Sequence, residues 1–141
     1  MKKSLLIMSL VAVLPVIAAC GSKSGSTAPT GTPIKSVAVE NLTATLSSST
    51  GQLKRGEQEI TLAFTDSSGK PIDVGAVSLN FHMPQMGSMA AMTDGVTFTT
   101  TNTPGVYRGK VDIEVSGEWQ AQLAYDGAAG KGKTTFSVTA R

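Results

Sequence analysis

The segment His82-Met83-Pro84-Gln85-Met86-Gly87-Ser88-Met89-Ala90-Ala91-Met92 sets four methionines at intervals of three behind the one histidine of the chain. The other two of the six methionines, Met1 and Met8, lie in the first ten residues. A thioether is a soft, neutral donor that suits Cu(I) and few other metals of biological abundance. Zn(II), Ca(II) and Mg(II) take thiolate, imidazole or oxygen instead. Cu(II) calls for more nitrogen than a single histidine supplies. Met86, Met89 and Met92 are the leading candidate Cu(I) ligands, and Met83 and His82 are secondary ones. Met-x-x-Met spacing gathers sulfurs on one side of a helical turn or folds them together in a loop. Methionine is neutral at every pH, so such a site keeps its affinity in acid unless His82 is essential. A competing reading treats the same residues as flexible hydrophobes that cap the fold or form an adaptable surface for a partner protein. Oxidant scavenging is a third use of the same sulfurs.

The rest of the chain offers little other chemistry. One histidine and one cysteine, Cys20, remove most nucleophile–base arrangements, so an enzyme is not expected. Asp112 with Glu114, and Glu57 with Glu59, fall on the outward faces of alternating segments and read as solvated surface. Gly127-Ala128-Ala129-Gly130-Lys131-Gly132-Lys133 lacks the spacing and the following helix of a phosphate loop and reads as a hairpin loop. Trp119 and Tyr107 read as core anchors.

Residues 1–19 form a lipoprotein signal peptide. Lys2 and Lys3 precede an apolar stretch from Leu5 to Val16 that is too short to span a bilayer stably. Ile17-Ala18-Ala19-Cys20-Gly21 matches a bacterial lipobox, which places lipidation on Cys20. Several acyl chains anchor more firmly than one, so the membrane is an expected partner. Cleavage removes Lys2 and Lys3 and leaves ten basic against ten acidic side chains. No basic field remains to attract nucleic acid. The expected location is extracytoplasmic and lipid-anchored. If the envelope has two membranes, Gly21 and Ser22 lack the aspartate of inner-membrane retention and favour the periplasmic side of the outer membrane.

Residues 20–35 are the lipidated cysteine and a Gly/Ser/Thr/Pro-rich tether. Its fifteen residues after Cys20 span about 20 Å root-mean-square if flexible. Residues 36–141 alternate apolar and polar positions between Gly and Pro punctuation, which predicts about seven strands and an all-β, immunoglobulin-like β-sandwich. Val37 and Val39 begin the first strand, and Leu42, Ala44 and Leu46 continue it on the other parity, which predicts a bulge near Glu40 or Asn41. Ile60, Leu62 and Phe64 share a face in the second strand, and Val77, Leu79, Phe81 and Met83 in the third. Val96, Phe98 and Thr100 define the fourth. Tyr107, Gly109, Val111, Ile113 and Val115 line the fifth, Trp119 to Tyr125 the sixth, and Phe136 and Val138 the seventh. Phe64, Phe81, Trp119 and Phe136 form the expected centre of the core. Strand parity turns Met83 inward and His82 outward, and Pro84 ends the strand.

These residues also carry a family resemblance. Thr65-Asp66-Ser67-Ser68-Gly69-Lys70-Pro71, the run from Ala76 to Met86 with its Met83-Pro84-Gln85-Met86 element, and Pro104-Gly105-Val106-Tyr107-Arg108-Gly109 followed by Gly117-Glu118-Trp119 resemble YtkA-like domains, relatives of the FixH group. The resemblance covers most of residues 36–141. It implies a small extracytoplasmic β-sandwich, often membrane-attached and often found in copper or oxidase-assembly settings, so a copper-handling or oxidase-assembly protein is an expected partner. Only Met83 and Met86 fall on the family's Met-Pro-x-Met element. Relatives often place further histidines after it, where this chain has Met89 and Met92, and that tilts the site toward thioether ligands.

Overall fold

A computed structural model describes residues 31–141, so the expected signal peptide, the expected lipobox and Cys20 lie outside the described residues. Among the described residues, nine strands follow one another without a helix: β1 (Thr32–Val39), β2 (Leu42–Ser48), β3 (Gly56–Thr65), β4 (Ala76–Met83), β5 (Met92–Gly95), β6 (Thr97–Thr100), β7 (Val106–Ile113), β8 (Gly117–Gly127) and β9 (Gly130–Ala140). They form two antiparallel sheets, ordered β1-β2-β3-β7-β6 and β5-β4-β8-β9. The all-β sandwich expected from the alternating sequence is the fold of this chain.

Two of the nine strands have no counterpart in the sequence reading. The expected first strand is two strands, because the phase change at Glu40 and Asn41 is a chain reversal and not a bulge. Glu40 takes φ of 53° and Val39 pairs with Leu42 across a two-residue turn. The irregularity that β1 does contain falls between Pro33 and Lys35. β1 also begins at Thr32, so residues 32–35, assigned to the tether on composition, start the first strand and run beside β2. The second extra strand is β5, whose sequence Met-Thr-Asp-Gly has no hydrophobic alternation. Its pairing with β4 holds it in place. The expected loop from Gly127 to Lys133 shrinks to a two-residue turn at Ala128 and Ala129, with Gly127 opposite Gly130.

The core lies between the inner faces of the two sheets. Trp119, Phe64 and Phe81 are fully buried, as their parity requires, whereas Phe136 is only partly covered. Leu53 and Val74, from connecting segments, are also fully buried. Phe64 stands edge-on to two tyrosines, with ring centroids 6.1 Å from Tyr107 and 5.5 Å from Tyr125. The Trp119 indole N–H donates to the Val115 carbonyl at 3.0 Å, which satisfies its polar atom and fixes the turn between β7 and β8.

Tyr107 does the same for the long β3–β4 connection. Its hydroxyl accepts from the Val74 amide at 3.3 Å and lies 3.1 Å from both Asp73 Oδ1 and the Gly75 carbonyl, to which it donates. Burial, then the bond to Asp73, raises the Tyr107 pKa above its ordinary value. Nearer β3, Asp66 caps the turn by accepting from the Ser68 amide and hydroxyl and from the Lys70 amide. Tyr107→Phe leaves the buried Val74 amide without its acceptor. It is expected to cost about 1–3 kcal/mol, the penalty for an orphaned buried donor. A urea titration with unchanged slope and a lower midpoint would show it.

Candidate metal site: the methionine hairpin

β4 carries the segment into place because its inner face is apolar at every second residue. Leu79, Phe81 and Met83 are buried, whereas Asn80 and His82 alternate with them on the outer face. Pro84 stops the strand, since it has no amide to donate to the ladder. The chain then reverses and returns as β5, with His82 opposite Thr93 and Met83 opposite Met92. Beyond Pro84 and Gln85 the two arms meet again at an isolated pair. The Met86 amide donates to the Met89 carbonyl at 3.2 Å, and the Met89 amide donates to the Met86 carbonyl at 2.9 Å. Gly87 and Ser88 make the turn, and Gly87 takes φ of 57°, where a side chain is disfavoured.

The interval of three acquires its meaning from this hairpin. Side chains on a strand change face at every residue, so an odd interval sends Met83 and Met86 to different surroundings. The four methionines therefore form two cross-strand pairs. Met83 is 3% exposed, and Met92, half-buried, packs against the same core. Met86 and Met89 are 57% and 45% exposed and stand directly opposite one another. Met86-Gly87-Ser88-Met89 is thus a β-turn and not a turn of helix, and the intervals on either side of it are the arms of the hairpin.

The candidate ligands fall in three places. Met86 and Met89 meet at the tip. Met83 and Met92 meet at the base, where the Met83 methyl lies so close to Gly117 that a Cβ there would stand 3.1 Å from it. His82 sits on the outer face, with Nδ1 3.1 Å from the Thr93 hydroxyl. Hydrogen-bonded partners across an antiparallel pair have Cα atoms about 5.5 Å apart, so the two flexible thioether arms at the tip can converge on one ion. No charged residue lies between Met83 and Met92, which keeps the tip neutral. The nearest carboxylate along β5, Asp94, accepts from the Glu114 amide at 3.3 Å. Among the described residues, no group of three or more His, Cys, Asp or Glu is placed to hold a metal ion.

The outward carboxylates take surface positions. Glu59 pairs with Arg108 at 3.3 Å, with both side chains about half exposed, and Glu57 lies opposite Asp112. An open groove that sequence reasoning missed runs past Val77, Tyr125 and Gly132, beside the exposed Lys131–Asp126 pair at 2.8 Å. Its lining comes from the ends of three strands and the β1–β2 turn, and no single stretch of sequence signals it.

A family model described as YtkA-like matches residues 36–124, a span that includes the whole hairpin. The chain belongs to the YtkA-like family. The match ends before β9, so this YtkA-like domain carries its last edge strand outside the matched region. Among solved structures, the ZirS C-terminal domain is similar at 12% identity and a TM-score of 0.45, covering 99% of this chain and 87% of that one. Comparison with curated proteins finds no match.

The division of the methionines predicts a division of stability effects. Met83→Ala opens a cavity at the base of the hairpin and is expected to cost about 2–5 kcal/mol. Met86→Ala, at the exposed tip, should stay within about 0.5 kcal/mol of the parent. Chemical denaturation of the two variants side by side checks both values.

Proposed function

We propose that this YtkA-like protein is a non-enzymatic, lipid-anchored protein of the bacterial envelope. It binds Cu(I) at the methionine hairpin and buffers the metal or passes it to a partner. The observation that carries this reading is the tip. Two thioethers stand opposite each other across a tight turn, exposed and uncharged, while the remaining two described methionines pack inward. Soft sulfur without nearby thiolate or clustered oxygen favours Cu(I) over Zn(II), Ca(II) and Mg(II). Met86 and Met89 are the principal ligands. Met92, half-buried at the base, is the nearest further sulfur along β5, and Met83 and His82 are peripheral. A solvent-facing site with few ligands leaves a coordination position open, which suits transfer to a copper-handling or oxidase-assembly partner. The lipobox ending in Cys20 supports the anchored, extracytoplasmic location.

A second reading rests on the same exposure. Met86 and Met89 are the large hydrophobic side chains that the described domain leaves in water, and a Met-rich surface adapts to a partner without any metal. The two readings separate on substitution by leucine, which keeps the apolar surface and removes the sulfur.

Titration with Cu(I) against a chelator is expected to give a site that Met86→Leu/Met89→Leu abolishes and Met83→Leu leaves largely intact. Thioethers do not titrate, so affinity should stay level as the pH falls to about 5, below the ordinary range of imidazole. Unchanged binding by the double variant would eliminate the tip as the site. A loss of affinity in acid would return His82 to the ligand set.

A further inference from the structure

We infer that Met86 and Met89 are a paired oxidation site, and that their conversion to sulfoxides switches off Cu(I) binding at the tip. The inference deepens the copper reading and rests on it for the second half.

Exposure separates the methionines of the hairpin into two tiers. Met86 and Met89 are 57% and 45% exposed, whereas Met83 is 3% exposed and Met92 is half-buried against the core. A peroxide must reach the sulfur lone pair, so the tip pair reacts first. In each event the sulfur attacks the near oxygen of the peroxide. An S–O bond forms, the O–O bond breaks, and the far oxygen, which keeps its own proton and takes up the one on the near oxygen, leaves as water. The thioether loses two electrons and the peroxide gains them.

The consequences also differ by tier. An S=O group at Met86 or Met89 stays in water, and the turn remains closed by the two backbone bonds between these residues. The same group at Met83 would bury a new dipole with no partner, which is costly. The tip can therefore be oxidised with the fold intact, and reduced again by thiol-dependent sulfoxide reductases. Its ligand chemistry changes completely. One of the two sulfur lone pairs is spent on the S–O bond, the remaining one sits on an electron-poor sulfur and donates weakly, and the new oxygen is a hard donor that Cu(I) disfavours. Because both residues of the pair are exposed, a modest dose of oxidant reaches the whole site.

The test exposes the intact purified protein, free of metal, to graded hydrogen peroxide. Each methionine is then followed by peptide mass mapping. Sulfoxide should appear on Met86 and Met89 before Met92 and Met83, with no change in the thermal midpoint at that stage. Cu(I) affinity, read by chelator competition, should fall by roughly tenfold or more as oxygen replaces sulfur in the ligand set. Treatment with the reductases for both sulfoxide epimers should restore it. Oxidation of Met83 or Met92 ahead of the tip pair would overturn the inference. If the reduced protein binds Cu(I) and the oxidised tip binds equally well, the switch falls and the copper reading stands. If the reduced protein binds no Cu(I), the copper reading falls and takes the switch with it.

Discussion

Burial of Leu79, Phe81 and Met83 on one side of β4 is the constraint on which the hairpin depends. The pleat has a period of two, so a slip of one residue would turn all three into water and bring Asn80 and His82 into the core. That exchange is too costly to occur, and the register of β4 is fixed. β5 has little of its own to hold it, since only Met92 of its four residues packs against the core. It takes its position from β4. The exposure of Met86 and Met89 is thus set by apolar residues several positions away along the chain.

The remaining supports act on the connections. Tyr107 reaches from β7 to three successive residues, Asp73 to Gly75, immediately before β4. Trp119 ties β8 back to the Val115 carbonyl. Each is a large aromatic whose ring is buried and whose one polar atom closes a loop, which joins packing and hydrogen bonding in a single side chain. Together they define both ends of the β4–β8 pair, against which the hairpin is built. Pro84 then releases the chain from the ladder at the first point where an outward excursion carries no burial penalty.

Much of the sandwich was legible because alternation is a direct trace of a sheet with one face buried. Ile60 to Phe64, Val77 to Met83 and Tyr107 to Ile113 each show it, and each is a strand. The failures have physical causes. A phase change looks the same whether a strand bulges or reverses, and the positive φ of Glu40 that decides between them leaves no mark on residue type. Met92 to Gly95 lacks the pattern because an edge strand held by its neighbour needs no apolar face of its own. The methionine spacing was visible, but its meaning depended on the backbone. On a helix, residues three apart are neighbours on one surface. On a hairpin they change face and find their neighbours across the turn. Sequence could therefore name the four sulfurs, and only the register could sort them into pairs.

The β4–β5 pairs and the isolated Met86–Met89 bridge share one residue offset, with the same number of unpaired residues, Pro84 and Gln85 against Ala90 and Ala91, on each arm between them. The hairpin is in effect an arm of adjustable length. Two residues added to each side would carry the tip roughly 6–7 Å further from the sandwich with the thioethers facing as before, at about 3.3 Å per residue. One residue added to each side would move it half as far and turn the thioethers over. Reach and orientation are thus a single variable that changes in discrete steps. Within a family built on this fold, the number of residues between the strand and the tip would set how far the tip stands from the sandwich and which way its side chains face.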